Sequence, residues 1–285
     1  MLGRAILTLL RCATVTGLLL GVALIFPAGA AAEISIHGGK EAYRDGISSL
    51  LETHWSADRL ADINLAITVG SAGLAAYCEQ DDQKPILAVY LYESRFPEIS
   101  ARCRQPVAPI FADAPLRYLY RTAEALFPGS RAAMRVSGEP AGDPHPEKPS
   151  LSLLPVPKEG VAKGLGRLID EARWDVFLLP VDSSVYQATD YRLSLESLFR
   201  HRKPAIVSIR SLLSQGAVAA AYYTPAQLAE AVSRSMKHLI VHGEIVAERP
   251  DSVSVGIYTS VLRYLYGRVL TAEELRALEA EVNGG

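Results

Sequence analysis

The sequence predicts an α/β protein in which two lobes, each with a parallel sheet, face each other across a ligand cleft. Strand and helix patterns alternate along the chain, which is typical of parallel sheets. Two short apolar runs, Leu65–Val69 and Asp175–Leu179, lack the polar alternation of half-exposed strands, and strands buried on both faces show this pattern. Each run ends in small or polar residues, and open α/β sheets bind ligands beyond the carboxyl ends of their strands.

The composition and motifs exclude several classes of function. The 285 residues carry a formal net charge of −2 and no basic excess that would attract nucleic acid. The sequence contains no P-loop, no GxSxG and no HExxH motif. His238 and His242 are four residues apart, a spacing that could hold a metal, but without a further ligand we interpret them as exposed residues at a helix end. We therefore predict a binding protein, not an enzyme, with no cofactor, metal or catalytic residue.

Residues 1–32 have the organisation of a signal peptide. Arg4 and Arg11 precede the apolar core Leu18–Phe26, and small residues at 28–32 suit a signal peptidase. An uncleaved membrane anchor is the alternative, because the apolar stretch after Arg11 nearly reaches the ~18 residues that a spanning helix needs. Cleavage would leave a mature protein in the periplasm.

Export gives the remaining cysteines a predicted role. The mature chain contains only Cys78 and Cys103, and two cysteines in an oxidising compartment can pair. A disulfide would close a loop of roughly 25 residues and stabilise the fold by about 3 kcal/mol. Two separately buried thiols are the alternative.

Apolar patterns, turn residues and capping signals place the secondary structure. Strands are predicted at Ile34–Ile36, Leu65–Val69, Ile86–Tyr92, Val107–Phe111, Ala132–Val136, Ser150–Leu154, Asp175–Leu179, Ala205–Ile209, Ala217–Tyr223 and Ser252–Ile257. Helices are predicted from Lys40, near Ser71, over Glu98–Cys103, after Asp113, over Val161–Ala172 and Leu193–His201, after Thr224, from Thr259 and after Thr271. Asp113 is expected to cap its helix, and Thr224 and Thr271 each open a capping box. Residues 138–149, rich in proline, are expected to form a loop.

Two predicted strand ends supply candidate ligand anchors. Ser71 and Ala72 stand where a helix begins, and free N–H groups there attract a carboxylate; a plain N-cap role for Ser71 is the alternative. Asp182, Ser183 and Ser184 follow the other strand, and the acid could hold an ammonium group. Both anchors together would suit a zwitterion between closed lobes. Alternatively, Asp182 only caps the turn that follows it.

Four segments resemble the exported substrate-binding proteins of ABC transporters, in the group that binds tryptophan and tyrosine. These segments are Leu65–Ala75, Leu126–Val136, Leu178–Val185 and Gln215–Val232. The resemblance implies a type I periplasmic-binding fold with two Rossmann-like lobes, and a ligand that is an amino acid or related organic acid. It also implies that the protein delivers the ligand to a membrane permease and that Tyr222 lines the cleft; a packed core tyrosine is the alternative for Tyr222. We expect the protein to be monomeric.

The chain also departs from that family. The N-x-T-G loop that follows the strand matched by Val107–Phe111 is missing, and the first lobe is one strand–helix unit short between Leu51 and Ile63. The shortened lobe favours an alternative function, a sensory or partner-binding protein that serves a sensor kinase. We assign residues 33–112 and about 219–245 to the first lobe, and residues 113–218 and about 246–285 to the second.

Overall fold

A computed structural model describes residues 34–137, 151–155, 165, 166, 168, 169 and 173–284. The predicted signal peptide, the predicted loop at 138–149 and most of the predicted helix Val161–Ala172 lie outside these residues. Within the described ranges, no helix combines the length and apolar character needed to cross a bilayer. The strands form two sheets, which define two lobes.

The first lobe is built on a sheet of four parallel strands in the order β1-β2-β3-β4. These strands are β1 (Ile34–Gly38), β2 (Leu65–Val69), β3 (Ile86–Leu91) and β4 (Val107–Phe111). Every residue of β2 is buried, as its continuous apolar sequence predicts for a strand covered on both faces.

Helices cover both faces of this sheet. On one face, Ile47 and Leu51 of the helix Glu41–His54 join the core that contains Leu65 and Leu87. On the other face, the helices Gly70–Cys78 and Phe96–Ser100 form a separate core with the alternate strand residues. A short helix, Ala57–Ala61, precedes β2.

A disulfide joins Cys78 and Cys103, whose Cα atoms are 4.5 Å apart. It connects the end of the helix Gly70–Cys78 to the segment that leads into β4. The predicted pairing is therefore present in the structure.

The strand order places β1 at the edge of the first sheet among the described strands. In doubly wound sheets the chain usually adds a further strand beyond the first one before it reverses direction. Here the chain goes from β1 through the helices Glu41–His54 and Ala57–Ala61 to β2, without a further strand. This order agrees with the strand–helix unit that the sequence lacks between Leu51 and Ile63.

The second lobe contains a mixed sheet of six strands in the order β10-β9-β8-β7-β5-β6. Only the pairing of β10 with β9 is antiparallel. The strands are β5 (Ala132–Val136), β6 (Leu151–Pro155), β7 (Val176–Leu179), β8 (Ala205–Val207), β9 (Ala219–Tyr222) and β10 (Ser254–Ile257). The chain reverses direction between β5 and β7, which makes that crevice the switch point of the sheet. The helices Ala188–Arg200, Thr259–Tyr266 and Ala272–Gly284 also belong to this part of the chain.

The chain passes between the lobes after β4, after β9 and again before β10. Residues 219–222 belong to the second sheet, whereas the sequence placed the return to the first lobe at about 219. The return begins with the helix Pro225–His242, which has the predicted Thr224 cap and packs against the first lobe. Beyond it, Glu248 forms an isolated parallel bridge with Ile110 of β4.

Candidate ligand-binding cleft

A cavity of about 380 Å³ lies between the lobes, and residues of both lobes line it. The first lobe contributes the segments that follow its four strands, and the second lobe contributes those that follow β8 and β9. The cavity therefore occupies the position that open α/β sheets give their ligands. Its volume is at the lower end of the range for small-molecule sites, about 300–1,000 Å³.

Glycines let two chain segments meet tightly at one wall of the cavity. Gly38 and Gly39 have φ values of +74° and +66°, in the left-handed region that favours glycine. A Cβ atom on Gly38 would lie 2.4 Å from the Cα of Gly73, so the turn after β1 packs directly on the helix Gly70–Cys78. Arg44 Nη1 donates to the carbonyls of Gly38 and Gly39 at 3.2 and 3.0 Å, which holds the turn in place.

Tyr90 lines the cavity from a strained backbone position. It is one of two non-glycine residues with positive φ among the described residues, at +58°. The pairing register of β3 with β4 shifts between Val89 and Leu91, which marks a bulge at Tyr90. Bulges re-aim side chains beside functional sites, and bulky residues adopt this conformation only where the surrounding structure imposes it. The Tyr90 ring lies 4.9 Å from that of Tyr43.

The cavity walls are aromatic and carry positive charge. Five tyrosines line the cavity, and their residues are Tyr43, Tyr90, Tyr92, Tyr222 and Tyr223. The Arg210 guanidinium lies 5.7 Å from the centre of the Tyr222 ring, and Lys40 adds a second cation. Burial raises the pKa of Tyr90 and Tyr92, and raises the pKa of Tyr223 to about 12. These three hydroxyls therefore stay protonated at neutral pH.

Asp182, Ser183 and Ser184 form a contact between the lobes at the end of β7. The backbone N–H of Ser183 donates to Ser94 Oγ of the first lobe at 3.1 Å. Asp182 Oδ1 accepts from the N–H and hydroxyl of Ser184 at 2.9 and 2.6 Å. The Ser184 and Ser137 hydroxyl oxygens lie 3.2 Å apart across the β5–β7 switch point. The Asp182 carboxylate is thus engaged in its own turn, and Asp182 is not among the described residues that line the cavity.

The other predicted anchor lies beside the cavity. The helix begins at Gly70, with Val69 at the N-cap position, so Ser71 is inside the first turn and does not cap it. Val69 and Gly70 line the cavity, Ser71 is half-buried and Ala72 is exposed. Among the predicted ligand-binding residues, Tyr222 alone belongs to the described cavity lining.

The crossing after β4 contains a buried acid. Asp113 is 6% exposed, and its carboxylate accepts the backbone N–H of Glu93 at 3.0 Å. The helix Leu116–Leu126 has Pro115 at its N-cap position, so the prediction that Asp113 caps this helix is wrong. Burial raises the pKa of Asp113 to about 6. Glu93 in turn pairs with Arg249 of another crossing at 2.6 Å.

Most of the cavity residues were not predicted from the sequence. Tyr92 and Tyr223 are the last residues of two predicted strands, and Arg210 follows a third. Asp182 was selected because it follows a predicted strand, and the same criterion would have selected these three residues. Nothing in the sequence pattern marks Tyr90, because its exposure to the cavity depends on the shift between β3 and β4.

Solved structures resemble this fold over nearly their whole length. The ligand-free, open structure of CD0873, a substrate-binding protein with adhesive properties from Clostridium difficile, matches with a TM-score of 0.61 and 14% identity, covering 85% of this chain and 96% of that one. The chain has the fold of type I periplasmic binding proteins. An ABC domain from Streptococcus pneumoniae in complex with L-Trp matches with a TM-score of 0.57 and 12% identity, covering 87% and 98%.

A conserved domain protein from Vibrio cholerae matches with a TM-score of 0.56 and 12% identity, covering 86% of this chain and 98% of that one. No family model matches the chain, and no curated protein matches it. Identities this low support a shared fold but do not indicate which ligand this chain binds.

Proposed function

We propose that this protein is an exported solute-binding protein of an ABC transporter, and that its lobes close on an amino acid or related organic acid. The observation that carries the proposal is the cavity at the carboxyl ends of both sheets, lined from both lobes. A ligand in this cavity contacts both lobes at once only when they are closed. Binding then favours the closed state by its differential affinity for that state.

The contact between Ser94 and Ser183 supports a closing mechanism. Both residues are at the lobe surfaces that meet beside the cavity, and they are joined by a hydrogen bond. Asp182, Ser183 and Ser184 then contribute to closure, while Tyr222 contributes to the ligand wall. The closed form is the one that we propose is presented to the permease at the periplasmic face of the membrane.

The experiment measures whether a bound ligand closes the two lobes of the mature chain, residues 33–285. Native mass spectrometry identifies small molecules that co-purify with the protein. Small-angle X-ray scattering is then recorded with and without these molecules. A smaller radius of gyration with the bound molecule supports the proposal. If the molecule binds without closure, or if no small molecule raises the melting temperature, the proposal fails. A ligand at a hundred times its dissociation constant adds ~2.7 kcal/mol of stability.

A second candidate is a sensory protein of the same fold that binds a membrane receptor such as a sensor kinase. The observation that favours it is the position of β1 at the edge of the first sheet, since an edge strand presents unpaired backbone groups to a partner. Deletion of the gene distinguishes the two candidates. Loss of ligand uptake supports transport, and loss of a transcriptional response to the ligand with normal uptake supports sensing.

A further inference from the structure

We infer that the cleft selects an aromatic carboxylate without an ammonium group, such as an arylacetate, over the corresponding amino acid. This inference rests on the proposed function, because it concerns the ligand of the same cavity. It narrows the ligand class from amino acids and organic acids to acids with a planar apolar body.

The charged side chains among the described lining residues of the cavity are all cationic. Lys40 and Arg210 line it, and no aspartate or glutamate is among its described lining residues. Neither cation forms an ion pair with another described residue. A ligand carboxylate would meet these cations and form charge-assisted hydrogen bonds. An ammonium group in the same cavity would face two cations of like charge and no acidic lining residue of the described chain, which is unfavourable.

Two acids that follow strands, and Glu93 beside the lining residue Tyr92, are engaged elsewhere; Glu93 pairs with Arg249. Asp182 is bonded to Ser184 in its own turn. Asp113, next in sequence to the lining residue Ala112, is buried and accepts the Glu93 N–H. Burial raises the pKa of Asp113 to about 6. A larger fraction of this carboxyl is therefore uncharged near pH 7 than for an exposed aspartate. None of these carboxylates is therefore placed to bind a ligand ammonium.

The aromatic walls select the body of the ligand. Tyr43 and Tyr90 contact each other at 4.9 Å between ring centres on the first lobe. Tyr222 provides a ring on the second lobe, with Arg210 beside it. Aromatic rings bind planar apolar groups by stacking and edge contacts, and an arginine over a ring can hold a carboxylate at the edge of such a stack.

The same lining disfavours a sugar. A sugar carries several hydroxyl groups, and each one that is buried without a hydrogen-bond partner costs about 1–3 kcal/mol. The described lining contains no aspartate, glutamate, asparagine or glutamine side chain, so it lacks the carboxylate and amide groups that could bind many hydroxyls at once. The volume of about 380 Å³ is sufficient for a one- or two-ring acid.

The test compares three ligands that share a phenol ring and differ in charge, and adds ribose as a sugar. Isothermal titration of the mature chain with 4-hydroxyphenylacetate, L-tyrosine, tyramine and ribose is the first measurement. We expect 4-hydroxyphenylacetate to bind at least tenfold more tightly than L-tyrosine, and tyramine and ribose to show no binding. Indole-3-acetate in place of 4-hydroxyphenylacetate tests whether the cavity accepts a larger ring.

Two variants locate the carboxylate. Arg210→Gln should weaken 4-hydroxyphenylacetate at least tenfold with little change in melting temperature. Arg192→Gln is the matched control, because Arg192 is an exposed arginine on the same lobe, on the helix Ala188–Arg200 and outside the described cavity lining. Equal affinities in the two variants would overturn the role of Arg210.

The outcomes separate this inference from the proposed function. Tighter binding of L-tyrosine or ribose overturns the inference and leaves the solute-binding function standing. If none of the four compounds binds, the inference also fails, and closure around the co-purified molecule still decides the function. If neither closure nor any bound molecule is found, the proposed function itself is lost.

Discussion

Ser94 accepts the backbone N–H of Ser183 at 3.1 Å, and the two hydroxyl oxygens lie 3.3 Å apart. Ser94 follows β3 of the first sheet, and Ser183 follows β7 beside the switch point of the second sheet. This pair therefore links the lobes at the place where many doubly wound sheets bind their ligand. The cavity lies beside this contact, at the ends of β8 and β9.

Ser94→Ala should shift the protein toward an open form. Loss of a hydrogen bond worth about 0.5–1.5 kcal/mol lowers the ratio of closed to open molecules roughly two- to tenfold. The measurement is the radius of gyration in solution, which should increase. Ser100→Ala is the control, because the Ser100 hydroxyl donates to the Pro97 carbonyl within its own helical turn. An unchanged scattering curve for Ser94→Ala would show that this contact does not hold the lobes together.

The backbone strain at Tyr90 can be tested with two substitutions that both remove the ring. Asparagine tolerates positive φ, whereas the β-branched side chain of valine opposes it. We expect Tyr90→Val to be less stable than Tyr90→Asn by about 1 kcal/mol or more, although valine is the more apolar residue. Urea unfolding measures the difference. Greater stability of the valine variant would argue against the left-handed conformation at this position.

The sequence predicted the buried strands best. Leu65–Val69, Val107–Phe111 and Ala132–Val136 begin and end at the predicted residues, because continuous apolar runs bounded by turn residues define such strands. The helix Ala188–Arg200 begins five residues before the predicted Leu193, since its first turn is polar and carries no apolar periodicity.

The candidate site was less predictable for a physical reason. Positions such as Asp182 and Ser71 are at strand ends, as expected, but their atoms bond to neighbours or lie outside the cavity lining. Which strand ends enclose a cavity depends on how the lobes close, and local patterns carry no information on that. Tyr90 enters the cavity through a register shift in the sheet, a property of two paired strands.

Cys78 and Cys103 should be bonded in protein purified without reductant. Thiol labelling of the native mature chain without reductant should find no free thiol, and two labelled cysteines would contradict the pairing. Removing the bond with Cys78→Ser and Cys103→Ser together should lower the free energy of unfolding by about 3 kcal/mol, because the closed loop no longer restricts the unfolded chain. For a chain of this size, that corresponds to a melting temperature lower by roughly 6–12 °C.

Asp182→Asn distinguishes the two roles predicted for this acid. The carboxylate holds the Ser184 turn through two hydrogen bonds, so the variant should melt at a lower temperature, by about 2–6 °C for the loss of ~1–1.5 kcal/mol. Affinity for 4-hydroxyphenylacetate should change less than threefold. A loss of ten- to a hundredfold in affinity, with the melting temperature unchanged, would instead support an ammonium anchor.

Asp113 should make the fold less stable as the pH rises through the range of about 4 to 6. Its pKa is about 6 in the folded chain against an ordinary value of 3.8, so the folded state binds the proton more tightly and gains stability when the acid is neutral. Ionisation above pH 6 removes up to about 3 kcal/mol of that stability. Asp113→Asn, which stays neutral, should therefore unfold at higher urea concentration than the wild type at pH 7.5, and the two should converge near pH 4.

Asp45→Asn, an exposed change on the helix Glu41–His54, is the control and should follow the wild type at both pH values. An Asp113→Asn variant that is less stable than the wild type at pH 7.5 would mean that the charged carboxylate, through the Glu93 N–H, stabilises the crossing between the lobes.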